Sequence, residues 1–178
     1  MTPPGPAGGA PGGHVVSPGP EPGAGAPPVP LVTPLDEHFW RGGATGRLLI
    51  LRCDRCGFWL HPPGPVCRRC LALTLTPTPV SGRGRVRTYT VNHQPWFPAL
   101  PVPYALAIVE LEEQEGLQFL TRLVDCRPEN VRAGLAVTVR FEPHGDVHLP
   151  VFAPAPGDAP PTDAAPTDAA PIDAGAQR

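Results

Sequence analysis

Apolar positions along the chain are confined to its middle, and their period changes part-way through. In "GRVRTYTVNH", Val86, Thr88 and Thr90 alternate with Arg85, Arg87 and Tyr89, the two-residue period of a half-buried strand. "YALAIVELE" and "LQFLTRLV" are rich in branched and aromatic residues and are joined by "EQEG", where Gly116 suits a hairpin turn. "LAVTVRFE" and "VHLPVF" supply two more runs, and "RPENVRAG" between the third and fourth predicts one short helical turn. Gly134 gives the tight bend into the fourth strand.

Five short strands with a single helical insert after the third predict an all-β domain, an OB-fold barrel over residues 81–153. Ahead of it, "PLDEHFWRGG" predicts a short helix within residues 34–46. Asp36 and Glu37 lie at its start, and Gly42-Gly43 serves as its stop. Phe39 and Trp40 give this helix an aromatic side, which either packs on the domain or docks on a partner.

The two ends lack any such pattern. Of 178 residues 29 are Pro and 20 Gly, and both crowd residues 1–33 and 154–178. Neither end holds enough apolar surface to offset the entropy of ordering a backbone, so both are expected to be disordered arms. The second repeats a Pro-Thr-Asp-Ala-Ala unit. A basic run followed by an apolar stretch is missing at the N-terminus, and no apolar run is long enough to span a bilayer. The expectation is a soluble cytoplasmic protein with no membrane segment.

Residues 47–80 carry the chemistry. Of five cysteines, four form two Cys-x-x-Cys pairs, Cys53/Cys56 and Cys67/Cys70, ten residues apart. Each spacing lets two thiolates face one ion from a tight turn, and two such knuckles make a closed tetrahedral sulfur site. The expectation is a rubredoxin-like ribbon holding structural Zn2+, with iron in the same geometry as the competitor. Four thiolates leave no open position for water, which disfavours a catalytic metal. His61 is expected beside the ligands or on the surface. Cys126 reads as a small apolar side chain at a strand end. His93, His144 and His148 stand singly, with no partner in sequence that would make a catalytic pair.

The formal net charge of -2 hides a gradient. Nine arginines (Arg41, Arg47, Arg52, Arg55, Arg68, Arg69, Arg83, Arg85 and Arg87) face one acid, Asp54, between residues 41 and 87, and lysine is absent from the chain. Such a segment can pair with phosphate or carboxylate. The loop "NHQPWFPALPVPY" is stiffened by proline and made greasy by Trp96, Phe97, Leu100 and Val102. Exposed, it is a patch of the kind that marks a partner contact.

Taken in order, the aromatic helix, the four-cysteine ribbon, the Ser-Gly-x-Gly turn at Ser81 to Gly84, "PVPYALAIVELEE", "LVDCRPENVRAG" with its Gly134-x-x-Val137 step, and "LPVFAP" resemble one family. It is the acyl-CoA-associated zinc-ribbon and OB-fold family, long catalogued as a domain of unknown function. The likeness covers residues 34–153 and leaves both arms outside. It implies a non-catalytic accessory subunit that docks on and stabilises a thiolase-fold enzyme, a thiolase or a retro-aldolase of steroid side-chain breakdown, which carries the Claisen or aldol chemistry on a coenzyme A thioester. Arg85 and Arg87 then become candidates for the coenzyme A phosphates. Phe39, Trp40, Trp96 and Phe97 become candidates for the partner contact.

Two rivals belong to other classes. A ribbon joined to an OB-fold is also a nucleic-acid module, but the strands offer few aromatics (Tyr89, Tyr104, Phe119 and Phe141) and the net charge is not basic. A self-sufficient enzyme using Cys126 or His93 lacks a second catalytic group.

Overall fold

A computed structural model of the chain describes residues 28–96 and 100–157. Most of both expected arms, and Phe97, lie outside the described residues. The element order is α1 (Glu37–Arg41), a 3-10 turn (Gly42–Thr45), β1 (Leu49–Cys53), β2 (Trp59–Leu60), β3 (Leu75–Pro79), β4 (Arg83–Asn92), β5 (Tyr104–Leu111), β6 (Gln118–Leu123), a 3-10 turn (Pro128–Asn130), β7 (Ala136–His144) and β8 (Val147–Pro154). β1, β2 and β3 form a small antiparallel sheet in the order β2-β1-β3, and the last five strands close into a barrel in the order β4-β5-β6-β8-β7.

That barrel is the five-stranded OB-fold the alternation predicts. Its closure is thin where β6 meets β8, the one parallel pairing, with Leu123 opposite Phe152 in register. Side chains reinforce the seam. The Thr121 hydroxyl donates to the Pro150 carbonyl at 2.8 Å, and Arg122 pairs with Glu142.

One expectation about faces is overturned by a bulge. β4 pairs Val86 with Val109 but Thr88 with Ile108, so Arg87 is an extra residue that no partner opposes. A bulge reverses the alternation beyond it. Val86, Tyr89 and Val91 therefore pair with the inward Val109, Ala107 and Ala105, while Thr88 and Thr90 share the outward side. Periodicity alone had placed Thr88 and Thr90 with Val86.

The helix stops where the glycines predict, at Arg41 with Gly42 as its C-cap, and Gly42 and Gly43 then open a 3-10 turn that ends at Gly46, whose φ of +68° suits a residue without Cβ. Gly43 also serves close packing. A Cβ there would stand 2.5 Å from both a Phe141 ring carbon and the His148 Cβ, which seats the turn directly on β7 and β8. Phe39 is buried in the main core, with its ring centroid 5.9 Å from that of Phe119. Most of its surface is spent on the barrel core, which leaves Trp40, only half-buried, the more open of the two helix aromatics.

β1 serves two cores from its two faces. Ile50, with Leu48 just before the strand, joins the barrel cluster around Val109, Leu135 and Phe152. Leu51 and Cys53 join a smaller cluster with Leu60 and Cys67. The "EQEG" hairpin turn does more than reverse the chain. The Gln114 side chain accepts the Trp59 N–H at 2.9 Å and donates to the Trp59 carbonyl at 3.2 Å, clamping β2 to the barrel.

Replacing Gly43 with Ala should destabilise the chain by about 1–3 kcal/mol, because the backbone and the Phe141 ring must move apart. Equilibrium urea unfolding of the variant against the parent measures this.

Candidate metal centre and the surfaces around it

The two cysteine pairs are built on the same backbone plan. Cys53 N–H donates to the Phe58 carbonyl at 2.9 Å, and Gly57 N–H donates back to the Cys53 carbonyl at 2.8 Å. Fourteen residues on, Cys67 N–H donates to the Ala72 carbonyl at 2.9 Å, and Leu71 N–H donates to the Cys67 carbonyl at 2.8 Å. Both knuckles need a left-handed residue at the fourth position after the first cysteine, Gly57 at φ +71° and Leu71 at φ +61°. Glycine adopts this freely, whereas a leucine there costs about 1–2 kcal/mol.

These turns bring all four sulfur atoms within 4.8 Å of one another. Cys53 Sγ lies 3.6 Å from Cys70 Sγ, and Cys56 Sγ 3.7 Å from Cys67 Sγ. Thiolates about 2.3 Å from a shared tetrahedral ion stand roughly 3.8 Å apart, so the donor set fits such an ion. Disulfides would need sulfurs at about 2.05 Å.

The electrostatics agree with a site built for a cation. Burial opposes ionisation of Cys67, yet the backbone N–H groups of Cys70 and Arg69 and the neighbouring thiols outweigh it and draw this thiol down to about 6. At Cys70 the N–H of Ala72 favours the thiolate, but burial and the three neighbouring thiols push it up to about 12. The cluster thus favours a thiolate at Cys67 and opposes one at Cys70, a crowding of negative charge that a bound cation would relieve.

The remaining sequence candidates scatter. Cys126 packs half-buried against the barrel core, and burial pushes its thiol up. His93 is exposed. His61 is not among the clustered metal-ligating groups; it is half-buried and turned toward the aromatic rings of helix and barrel. Its ring lies 4.9 Å from Phe39 and 5.3 Å from Phe119, centroid to centroid. Arg85 and Arg87 do face outward from β4, but Arg87 has Glu110 at 3.9 Å, while the Arg85 guanidinium donates to the Gly134 carbonyl at 3.2 Å. Arg83 beside them is paired with Glu112 at 2.8 Å. Trp96 is 70% exposed, with its indole N–H on the Asn92 side chain at 3.1 Å.

Sequence reasoning missed a groove of about 360 Å3 where helix, ribbon and barrel meet. It is lined by Asp36, Phe39 and Trp40, by His61, Pro62 and Pro63, and by Gln118, Phe119 and Leu120. Trp40 is half-buried in its wall, and its indole N–H donates to Asp36 at 3.1 Å. The only advance signal was the pair of aromatics on the helix, which could not say where the helix would dock.

A four-thiol ribbon clamped to an OB-fold barrel defines a two-part β protein with a site suited to a metal ion. Comparison with known families narrows this. Residues 40–76 match the rubredoxin-like zinc ribbon domain of ChsH2, and residues 77–142 match the C-terminal OB-fold domain of ChsH2. The chain belongs to this zinc-ribbon and OB-fold family, whose members also carry the DUF35 name. A DUF35 domain-containing scaffold protein of Methanocaldococcus jannaschii is 38% identical over 96 residues, covering 53% of this chain and 67% of that protein. A probable enoyl-CoA hydratase alpha subunit of Thermomonospora curvata is 38% identical over 122 residues, 67% of this chain and 38% of that protein. The chain therefore spans well under half of that hydratase subunit. Among solved structures, a chain of the Ltp2-ChsH2(DUF35) aldolase superposes with a TM-score of 0.65 at 34% identity, covering 71% of this chain and 98% of the matched one.

Two measurements check the site. Metal-loaded protein should show about one thiol reactive to Ellman's reagent, Cys126, and all five after chelation, since a bound thiolate is a poor nucleophile. His61 supplies a pH test. Burial, with Arg68 and His38 adding repulsion, lowers its pKa to about 4, below its usual 6.5. Between those values the unfolded chain binds a proton that the folded one refuses. Stability should therefore fall by about 3 kcal/mol as pH drops from 6.5 to 4. His61→Phe keeps the ring stacking and should lose that much less over the same window, measured by urea unfolding at each pH.

Proposed function

We propose that the chain is a non-catalytic accessory subunit that binds and stabilises a thiolase-fold acyl-CoA enzyme, a thiolase or retro-aldolase of lipid or steroid side-chain metabolism. The observation that carries this reading is the superposition on the Ltp2-ChsH2(DUF35) aldolase, which takes in 98% of the matched chain. A 3-oxo-4,17-pregnadiene-20-carboxyl-CoA hydratase alpha subunit of Mycobacterium tuberculosis, 33% identical over 116 residues, supports the acyl-CoA connection.

In this reading Cys53, Cys56, Cys67 and Cys70 hold Zn2+, which acts as a structural brace and has no coordination position left for a substrate. The partner supplies the groups that break and make bonds. Trp96, with Phe97 beyond it and Trp40 at the groove, offers the apolar contact. A second role in binding the acyl-CoA falls to Arg85 and Arg87. Arg85 is the stronger candidate, because Arg87 must first leave Glu110. The nucleic-acid alternative is weakened by the same pairing, since Arg83 and Arg87 on the exposed face of the barrel already meet carboxylates. Residence in the cytoplasm is part of the proposal.

The test is co-purification of the tagged chain from its own cells, with proteins, nucleic acid and metal measured in the eluate. A thiolase-like enzyme should arrive in stoichiometric amount with one zinc per chain. Trp96→Ala should reduce its recovery at least tenfold, on the scale of a central aromatic anchor. Iron in place of zinc would revise the cofactor alone. RNA or DNA arriving without an acyl-CoA enzyme, with affinity falling steeply as salt rises, would sink the reading.

A further inference from the structure

The second cysteine knuckle keeps a residue that its own geometry argues against. The two knuckles share one hydrogen-bond pattern, and the first solves the left-handed position with Gly57. The second places Leu71 there. A buried leucine would repay that strain by packing, but Leu71 is 75% exposed and Leu73 is 78% exposed. Between them Ala72 turns inward to the small ribbon core, as does Leu75 just beyond. An apolar side chain held in a strained backbone and aimed at solvent marks a functional position.

Arginines lie close to these leucines along the chain and on the adjoining knuckle. Arg55 and Arg69 are exposed, and among the described residues neither has a carboxylate within ion-pair distance. Arg68 is turned away to the His61 carbonyl at 2.6 Å. The Asp54 N–H donates to the Thr74 carbonyl at 3.1 Å, which lays the first knuckle, with Arg55, alongside the segment that carries Leu73. Both ends of the turn are fixed by backbone bonds, so its shape is set before any contact is made and little entropy is lost on binding.

We propose that Leu71 and Leu73 form a preorganised hydrophobic anchor that inserts into an apolar pocket rimmed by carboxylates on the partner enzyme, with Arg55 and Arg69 pairing to that rim. The occupant follows from charge and size. Guanidinium groups flanking an apolar knob complement an acidic rim around an apolar hollow. Two leucines bury too little hydrocarbon to hold the chain in a bilayer, where stable anchoring takes far more methylene groups. The proposal rests on the accessory-subunit reading for the nature of the partner, and not for the existence of the anchor.

Two variants test it, Leu71→Gly and Leu73→Ser. Leu71→Gly relieves the left-handed strain, so the free chain should melt about 2–6 °C higher. The same change should weaken the purified complex at least tenfold, and hydrogen exchange across residues 68–74 should slow when the parent chain binds. Stability and affinity thus move in opposite directions, which a merely structural leucine would not produce. Leu73→Ser should weaken the complex similarly with little change in melting temperature.

Parent-level affinity in both variants, with an acyl-CoA enzyme as the partner, would overturn the anchor and leave the accessory reading standing. Loss of binding to a partner that is not an acyl-CoA enzyme would uphold the anchor and overturn that reading. Vesicles of phosphatidylserine and phosphatidylcholine give the last arm. Binding to them that both variants lose, with no protein partner, would overturn the proposal in favour of a lipid surface. Binding to neither would overturn it outright.

Discussion

Four sulfur atoms gathered within 4.8 Å hold together a segment that has little else to hold it. The ribbon's own core is Leu51, Cys53, Leu60 and Cys67, and two of those four belong to the four-thiol cluster that could hold a metal ion. Burying its two leucines contributes about 3–6 kcal/mol, well short of the entropy of ordering some thirty residues. Structural zinc in small finger peptides contributes about 10–16 kcal/mol of apparent folding free energy. Everything the ribbon does is therefore conditional on the thiol cluster: the path of β1, the seat of His61 and the shape of the Leu71 turn.

From that cluster, order passes to the barrel through β1. Because successive residues of a strand face opposite sides, Leu51 and Cys53 serve the ribbon while Ile50 serves the barrel. Two further contacts make the connection rigid. Gln114 uses both ends of its amide on the backbone of Trp59, and the rings of Phe39, His61 and Phe119 stack where helix, ribbon and barrel converge. The imidazole sits in this stack as a neutral ring, which is why burial holds its proton affinity low. Gly43 completes the arrangement by letting the opening segment lie against Phe141 without an intervening side chain.

The surfaces that remain are unequal. Outward arginines on β4 are largely neutralised by the acids of the neighbouring strand and hairpin, Arg83 by Glu112 and Arg87 by Glu110. Such exposed pairs add little to stability, but they lower the positive potential that a phosphate would meet. Among the described residues, Arg55 and Arg69 on the ribbon are exposed arginines with no carboxylate within ion-pair distance, close to exposed leucines along the chain or on the adjoining knuckle. Large apolar side chains stand exposed at several places among the described residues, most of all at Leu31, Leu71, Leu73, Trp96 and Leu120, the pattern expected of a protein whose work is done by being bound.

Spacing and period determined what depends on near neighbours in the chain. Two Cys-x-x-Cys pairs specify a thiol site because the chelate turn is a local geometry. Alternating runs with one helical break specify five strands because the strand period is local too. What needed the tertiary structure was anything set by residues far apart. The bulge at Arg87 arises from register with β5 and reverses the faces that alternation assigned to Thr88 and Thr90. Phe39 and Trp40 looked alike on the helix, yet docking buried the first and left the second at a groove. Gln114 is a polar turn residue until β2 lies beside it, and Leu71 is an ordinary leucine until the knuckle fixes its backbone at a positive φ. Local chemistry is written residue by residue, whereas burial, register and strain belong to pairs of segments and come into being only when those segments meet.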